Sequence, residues 1–447
     1  MEILVINGSP KGDYSITLQS CIYLEKKYPD HKFTYLNAGK HIVRIEKDRE
    51  EAFSMIRKAE LLLFIYPVYT YLVPSQLHRF MEILKEEEGL LNGKYVAQLS
   101  TSMHFYDVTA ENFMKENLLD MGAVYLDGLC AGMSDMPTKE GQKALSDFFD
   151  HLLYQIRHKL GQVRTERYSS FLPMSCSENE PVEKLETKKP VVLITDCAPE
   201  DKCLRSMIER FKNRMRLPVK EVNLREISIK GGCLGCLKCV ISEKCVYNDH
   251  FDEFLRSEIQ TGRAMVVAFT IKDHSMGSLF KRYDDRQFCN GHRAVTAGMP
   301  MAYLVNGPLS EEANLSMVLH ARPQNGGNIL AGIASNETDP DREIDNLCKE
   351  LLYAIKYQNK KPLNFYGVGG NKIFRDLVWE MRGLMKADHK FYKETGMYDF
   401  PQKQKGNTIA MYLVGLLMGS EAVRKKMGNK MEEGMLMPYK KALDELS

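Results

Sequence analysis

The sequence predicts an α/β protein made of two tandem, doubly wound, parallel five-stranded sheets followed by a helical C-terminal extension. Three observations carry this expectation. Short apolar runs alternate with charged helical stretches, as in parallel strands covered on both faces by helices. The alternation breaks in a polar stretch and then restarts in the same order. Beyond residue 360 it stops, and a Gly- and Met-rich tail of helical character runs to Ser447.

Taken in order, residues 1–160 offer strands at Ile3–Ile6, Phe33–Leu36, Leu61–Tyr66, Val96–Leu99 and Ala123–Leu126. Between them lie helical patterns near Thr17–Tyr28, Asp48–Ala59, Pro74–Glu88, Ala110–Met121 and Lys139–Leu160. Residues 161–189 read as a linker, with Ser169, Ser170, Ser175, Pro181 and a charged run from Glu183 to Lys189. Residues 190–360 repeat the rhythm, with strands at Val191–Thr195, Val219–Asn223, Ala264–Thr270, Met301–Val305 and Ile329–Ala334. Tyr66-Pro67-Val68-Tyr69 and Phe269-Thr270-Ile271-Lys272 each close a third strand, which aligns the two copies. In the extension, 361–447, the methionines at 411, 418, 427, 431, 435 and 437 read as fillers of an irregular core.

With 447 residues, 44% hydrophobic and 27% charged, the chain reads as globular, with two or three domains. A formal net charge of +2 gives no reason to expect a nucleic-acid partner. Met1-Glu-Ile-Leu-Val-Ile starts directly on a strand, and the apolar run Ile409–Met418 is too short to cross a bilayer. No membrane partner is therefore expected, and the location expected is cytoplasmic. There, eleven cysteines favour metal or redox roles over a disulfide framework. Lys281-Arg282-Tyr283-Asp284-Asp285-Arg286 reads as the solvated face of a helix before it reads as a docking site for an acidic partner or an anionic substrate.

The sharpest motif is Cys233-Leu-Gly-Cys236-Leu-Lys-Cys239-Val-Ile-Ser-Glu-Lys-Cys245. Four thiols this close can surround an iron-sulfur cluster whose irons each take one cysteine. A structural zinc usually draws on two separated C-x2-C knuckles, and a packed bend of reduced thiols is the remaining alternative. Bacterial ferredoxin runs send their fourth cysteine, followed by proline, to another cluster. Here Cys245 carries no proline and can close the same one. Gly231, Gly232 and Gly235 let the backbone wrap closely.

The first strand leads through Asn7-Gly8-Ser9-Pro10-Lys11-Gly12-Asp13-Tyr14-Ser15-Ile16-Thr17 into a helix, whose N-terminal N–H groups favour an anion. Ser9, Ser15 and Thr17 add hydroxyls, while neither GxxxxGK[ST] nor GxGxxG is present. A monophosphate such as that of FMN suits this loop, with Ser9, Pro10, Lys11, Ser15, Ile16 and Thr17 around it; an ordinary capped turn is the alternative. In such sheets a flavin lies between the first and third strands, outside their carboxyl ends. That brings in Pro67, Val68, Tyr69, Thr70 and Tyr71 after the third strand, and Ser100, Thr101, Ser102 and His104 after the fourth. Tyr69 or Tyr71 could flank the isoalloxazine, and His104 reads equally as structural or as touching it.

The Gly8-Ser9-Pro10-Lys11 loop with Ser15 and Thr17, the Pro67-Val68-Tyr69 turn and the four-cysteine run together resemble the NADPH-dependent FMN reductase and flavodoxin-like superfamily, specifically its iron-sulfur flavoproteins. The likeness spans roughly residues 1–360. It implies a flavodoxin-like fold, bound FMN, and a 4Fe-4S cluster between a second strand and the next helix. The chain departs from that pattern by dividing it. The first copy has Ala38-Gly39-Lys40-His41-Ile42-Val43 where cysteines would stand, and the second has Thr195-Asp196-Cys197-Ala198-Pro199-Glu200-Asp201 in place of a phosphate loop. Its three acidic groups would repel a phosphate. The expectation is FMN in the first copy and the cluster in the second, reaching the flavin across a pseudo-twofold axis.

The expected activity is an FMN-dependent oxidoreductase that takes electrons from NAD(P)H or reduced ferredoxin and passes them through flavin and cluster to a small-molecule or protein acceptor. A cluster-free NAD(P)H-dependent flavin or quinone reductase and a non-catalytic redox sensor are the alternatives, and assembly as a homodimer stays open.

Overall fold

The computed structural model describes residues 1–164, 171–187, 189–400, 405–418, 420, 421, 436, 439, 440 and 442–445. Met1–Phe391 form one compact unit and Tyr392–Ser447 a second.

The first half of the large unit runs β1 (Glu2–Asn7), α1 (Ile16–Lys27), β2 (Lys32–Leu36), α2 (Ala38–Lys47), α3 (Glu50–Lys58), β3 (Leu61–Pro67), α4 (Ser75–Lys85), β4 (Tyr95–Ser102), α5 (Asp107–Asp120), β5 (Val124–Gly132) and α6 (Lys139–His158). The strands pair in parallel in the order β2-β1-β3-β4-β5. Ile3–Ile6 and Leu61–Tyr66 are fully buried, because helices cover both faces and leave no polar side to the central strands.

The second half runs β6 (Val191–Thr195), α7 (Lys202–Arg214), β7 (Val219–Asn223), α8 (Lys238–Ser242), α9 (Phe251–Phe254), β8 (Ala264–Thr270), α10 (Gly277–Arg286), β9 (Pro300–Asn306), α11 (Ala313–Asn325), β10 (Ile329–Ser335) and α12 (Pro340–Tyr357). Its order, β7-β6-β8-β9-β10, is the same topology, again all parallel. The α/β, flavodoxin-like expectation therefore holds, and each expected strand is present. Helices α13 (Phe365–Glu380), α14 (Lys386–Glu394) and α15 (Lys405–Met418) follow. No helix among the described residues is long and apolar enough to cross a membrane.

The alignment of the two third-strand ends is visible in the backbone. Tyr69 and Leu72 exchange both backbone hydrogen bonds, and so do Lys272 and Ser275. Between them Thr70 and Tyr71 (φ 41° and 70°) match Asp273 and His274 (φ 52° and 58°). Neither turn contains glycine, so each left-handed residue costs about 1–2 kcal/mol.

Three sequence expectations need correction. Ala38–Lys47, read only as the segment standing in for the cysteines, is a helix burying Ala38, Gly39 and Ile45. Lys281, Tyr283, Asp284, Asp285 and Arg286 are buried, not solvated. Lys281 pairs with Asp285, Arg286 with Asp249, and Asp284 with Arg322, so the charges are matched inside. Met411 is exposed and fills no core; Met427, Met431, Met435 and Met437, with Ser169 and Ser170 of the linker, lie outside the described residues.

Candidate functional site

Where β1 ends, Asn7 organises the following loop. Its amide donates to the Gly12 carbonyl (3.1 Å) and to Asn37 Oδ1 (2.9 Å), and its Oδ1 accepts from Ser9 N (3.1 Å). Gly12 sits at φ +55°, where a side chain would be strained. A Cβ on Gly39 would overlap the Gly8 carbonyl, so the start of α2 presses directly on the loop backbone. Ser15 occupies the N-cap of α1 yet makes no capping bond, and its buried Oγ has no partner. The first N–H groups of a helix lack intrahelical acceptors. With that hydroxyl they form a donor-rich cradle, and the first turn of α1 contains no acidic residue. The arrangement fits a phosphate. Thr17 hydrogen-bonds Thr101 at 2.6 Å, tying the cradle to β4.

The cradle opens into a cavity of about 380 Å³. From the expected residues it is lined by Ser9, Lys11, Ser15, Ile16, Thr17, Pro67, Val68, Tyr69, Thr70, Tyr71, Thr101 and Ser102. Pro10, Ser100 and His104 stand outside the lining. Ser100 is buried beside Glu111 (3.5 Å), and His104 is mostly exposed with Nδ1 2.8 Å from Asp107. The opposite wall comes from the second half: Phe288, with its ring centroid 6.1 Å from that of Tyr69, then His292, Arg293, Arg322 and Asn325. Ile373, Phe374 and Leu377 of α13 complete it, with Phe374 stacked on Phe105 at 4.2 Å. These residues were not singled out from the sequence; the pseudo-twofold alignment was the signal pointing to this wall.

In the second half the corresponding cradle is filled from within. Asp201 caps α7 by accepting from Leu204 N (3.1 Å), and it also accepts from Asn306 Nδ2 (3.2 Å) and the Thr270 hydroxyl. Its carboxylate takes one of the helix-terminal N–H groups that a phosphate would need and puts a negative charge in the phosphate's place. Asp196, buried beside it in sequence, is held by Lys272 at 2.7 Å.

The cysteine bend lies between this half and the first. Gly235 N donates to Cys233 Sγ (3.4 Å), and Cys239 Sγ to the Phe288 carbonyl (3.2 Å). Left-handed residues at Gly235 (φ +61°), Leu237 (φ +60°) and Glu243 (φ +57°) curl the chain. Burial pushes the Cys233 thiol up to about 12 and Cys239 to about 11, so metal binding would release their protons. A single zinc needs thiolates roughly 3.8 Å apart, from bonds of ~2.3 Å in a tetrahedron. No three of the four sulfurs lie within 4.8 Å of one another. Arg286 stands nearby, 1% exposed and bidentate to Asp249 (2.7 and 2.9 Å), and its Nε has no partner. The bend also touches the cavity wall. Gln76 donates to the Cys233 carbonyl (3.2 Å). A Cβ on Gly235 would overlap the Tyr69 hydroxyl and lie 2.9 Å from Lys11 Cε.

Residues 1–132 match the NADPH-dependent FMN reductase family. This FMN-reductase segment ends with β5. No curated protein matches the chain. Among solved structures, similar ones include FerB from Paracoccus denitrificans, an NAD(P)H:(acceptor) oxidoreductase (21% identity, 36% of this chain and 99% of that one, TM-score 0.29). An apo NADH:FMN oxidoreductase, EMOB, shares 19% identity over 34% of this chain and 89% of its own, with a TM-score of 0.30. General stress protein 14 from Treponema denticola, in complex with FMN, shares 14% over 34% and 99%, with a TM-score of 0.28.

Proposed function

We propose that the FMN-reductase segment holds FMN and that Cys233, Cys236, Cys239 and Cys245 hold a 4Fe-4S cluster beside it, in an oxidoreductase that takes electrons from NAD(P)H or reduced ferredoxin and delivers them to an acceptor. The division places FMN in residues 1–160 and the cluster loop in 190–360, joined by 161–189 and followed by the extension at 361–447. The observation that carries this reading is the packing of Gly235 against Tyr69 and Lys11: the cysteine bend and the flavin wall are separated by side-chain contact alone.

FMN exchanges electrons in pairs or singly and an iron-sulfur cluster singly, so together they convert between the two modes. The chain's own residues supply position. The first turn of α1 with Ser15 Oγ would hold the phosphate. Tyr69 and Tyr71 wall the ring space, Phe374 and Phe288 limit water, and Lys11 places a positive charge between cradle and bend. No cavity residue need act as a nucleophile, and His104, outside the lining, has no assigned proton.

Anaerobic purification with iron, acid-labile sulfide and flavin quantitation tests the reading. It expects four irons and one FMN per chain. Replacing Cys236 and Cys239 by Ser should abolish iron while FMN stays; flavin-loaded protein without iron or sulfide would instead leave a cluster-free reductase.

A further inference from the structure

The carboxyl edge of the first sheet carries a second group of reactive side chains, at the turn from β4 into α5. His104 stands in that turn, Asp107 opens α5, and Cys130 lies on β5 in register with Ser100 of β4. One atom from each, a ring nitrogen, a carboxylate oxygen and a sulfur, lies within 4.8 Å of the other two. Asp107 Oδ2 is their meeting point: it is 2.8 Å from His104 Nδ1 and accepts from Cys130 Sγ at 3.1 Å. Ser102, which ends β4, braces the group. Its hydroxyl accepts from His104 N (2.7 Å) and donates to Asp107 Oδ2 (3.4 Å). His104 (φ 59°) and Tyr106 (φ 53°) hold left-handed backbone without glycine, at about 1–2 kcal/mol each, and strain of this kind gathers at ligand clamps.

Among the described residues no lysine or arginine lies within ion-pair distance of Asp107; its partners are His104, Cys130, Ser102 and the Val108 N–H. The buried group His78, Glu82 and Asp273 is different. There Arg79 holds Glu82 and Lys85 holds Asp273, both at 2.9 Å, so a further cation would meet like charge. Nor is Cys130 set up as a nucleophile: its thiol donates to the carboxylate, and no hydrogen bond joins it to His104, so no base activates it. Sulfur, imidazole nitrogen and carboxylate oxygen are instead the donors that zinc takes. With bonds of ~2.0–2.1 Å to N and O and ~2.3 Å to S, a tetrahedron sets oxygen about 3.3 Å from nitrogen and about 3.6 Å from sulfur. Each present contact then opens by only about 0.5 Å. The carboxylate and the thiolate carry two negative charges and the imidazole none, which balances a divalent ion; the thiol proton leaves to water. The His104 side chain is mostly exposed, so the group is reached directly from solvent, and a water can complete the coordination.

We infer that His104, Asp107 and Cys130 form a binding site for a divalent transition-metal ion of the zinc class, separate from the four-cysteine bend and independent of the flavin reading. The bound ion ties the turn between β4 and α5 to β5. Met103 and Phe105 of that turn line the cavity, and Phe105 stacks on Phe374, so the ion fixes this part of the cavity wall.

The test uses the full-length chain carrying Cys236→Ser and Cys239→Ser, which disables the competing thiol bend, after chelator treatment and equilibrium dialysis against zinc. Elemental analysis should find one zinc per chain, and X-ray absorption at the zinc edge should find one sulfur at ~2.3 Å with nitrogen and oxygen at ~2.0–2.1 Å. His104→Gln, at an exposed side chain where the fold is not at risk, should raise the zinc dissociation constant at least about tenfold, the lower end of what even outer-shell partners contribute. Cys130→Ser should remove the sulfur from the spectrum. If the double serine background does not fold, His104→Gln in the otherwise unaltered chain should lower bound zinc by one equivalent. Absence of zinc from the folded background, a spectrum with no sulfur or with two or more, a sulfur that survives Cys130→Ser, or zinc binding unchanged by His104→Gln overturns the site.

Discussion

Asp285 of α10 accepts a hydrogen bond from the backbone N–H of Ser75, the first residue of α4, at 2.8 Å. The reverse contact is made by Glu82 of α4, which accepts from Ser278 N at 2.8 Å in the first turn of α10. Each helix thus caps the other across the pseudo-twofold axis, satisfying N-terminal donors that no intrahelical carbonyl can reach. This seam fixes the two third-strand turns, and through them Tyr69 and Tyr71, in the cavity wall.

Breaking the seam at its buried end should be costly. Asp285 is wholly buried and pairs with Lys281, whose Nζ also donates to the Tyr69 carbonyl (2.7 Å). Asp285→Ala would leave that ammonium without its counter-charge, a loss of about 3–5 kcal/mol for a buried pair. Urea denaturation should show a lowered midpoint with an unchanged slope; a change below about 1 kcal/mol would mean that the seam does not hold the halves.

The same segment shows what the sequence could and could not reveal. The strands were legible because runs such as Leu61–Tyr66 are apolar throughout, and the turn alignment was legible because Tyr69 and Lys272 follow matching strands. The burial of Lys281–Arg286 was not, since the partners that neutralise it, Asp249, Arg322 and the Tyr69 carbonyl, come from distant parts of the chain. Helix α2 was not read from the sequence, where Ala38–Val43 counted only as the stretch in the place of the cysteines; Gly39 is there for close approach to Gly8, not for flexibility. The hydroxyl-rich turn into α1 was readable from local spacing, whereas the wall facing it depends on how the two copies meet.

His274 should make stability pH-dependent. Burial alone would lower its pKa, but hydrogen bonds to Asp120 (2.7 Å) and Glu312 (2.9 Å) outweigh burial and raise it to about 9. A raised folded-state value means that the contribution is full below the ordinary histidine value of ~6.5 and is lost as pH climbs through about 9. At ~1.4 kcal/mol per pH unit this is about 2–4 kcal/mol. Urea midpoints measured between pH 6 and 10 should fall across that window, and His274→Gln should flatten the fall; parallel curves for the two proteins would contradict the assignment.

Ser15 offers a change whose two consequences differ in sign. Its hydroxyl is buried and unpaired in the chain itself, so Ser15→Ala should leave the flavin-free protein as stable or slightly more so. FMN binding should weaken about five- to tenfold, one charge-assisted hydrogen bond to phosphate being lost. Riboflavin, which lacks the phosphate, should bind both proteins alike. Fluorescence titrations with the two flavins measure this directly, and an equal loss for riboflavin would move the phosphate away from Ser15.

Gly235 ties the proposed cluster to the proposed flavin, and its replacement separates a local from a shared effect. At φ +61° an alanine is strained by about 1–2 kcal/mol, and its Cβ would overlap the Tyr69 hydroxyl. The bend must therefore withdraw from the wall or push Tyr69 inward. Gly235→Ala should reduce iron content at least severalfold and shift the visible absorption of bound FMN, although residue 235 belongs to the other half of the large unit. Gly89→Ala is the control, at φ +79° with open space around its Cβ: comparable backbone strain there should alter neither iron nor flavin. Loss of iron in Gly235→Ala with an unchanged flavin spectrum would show that the thiol bend and the flavin wall do not communicate, and the electron path drawn between them would fail.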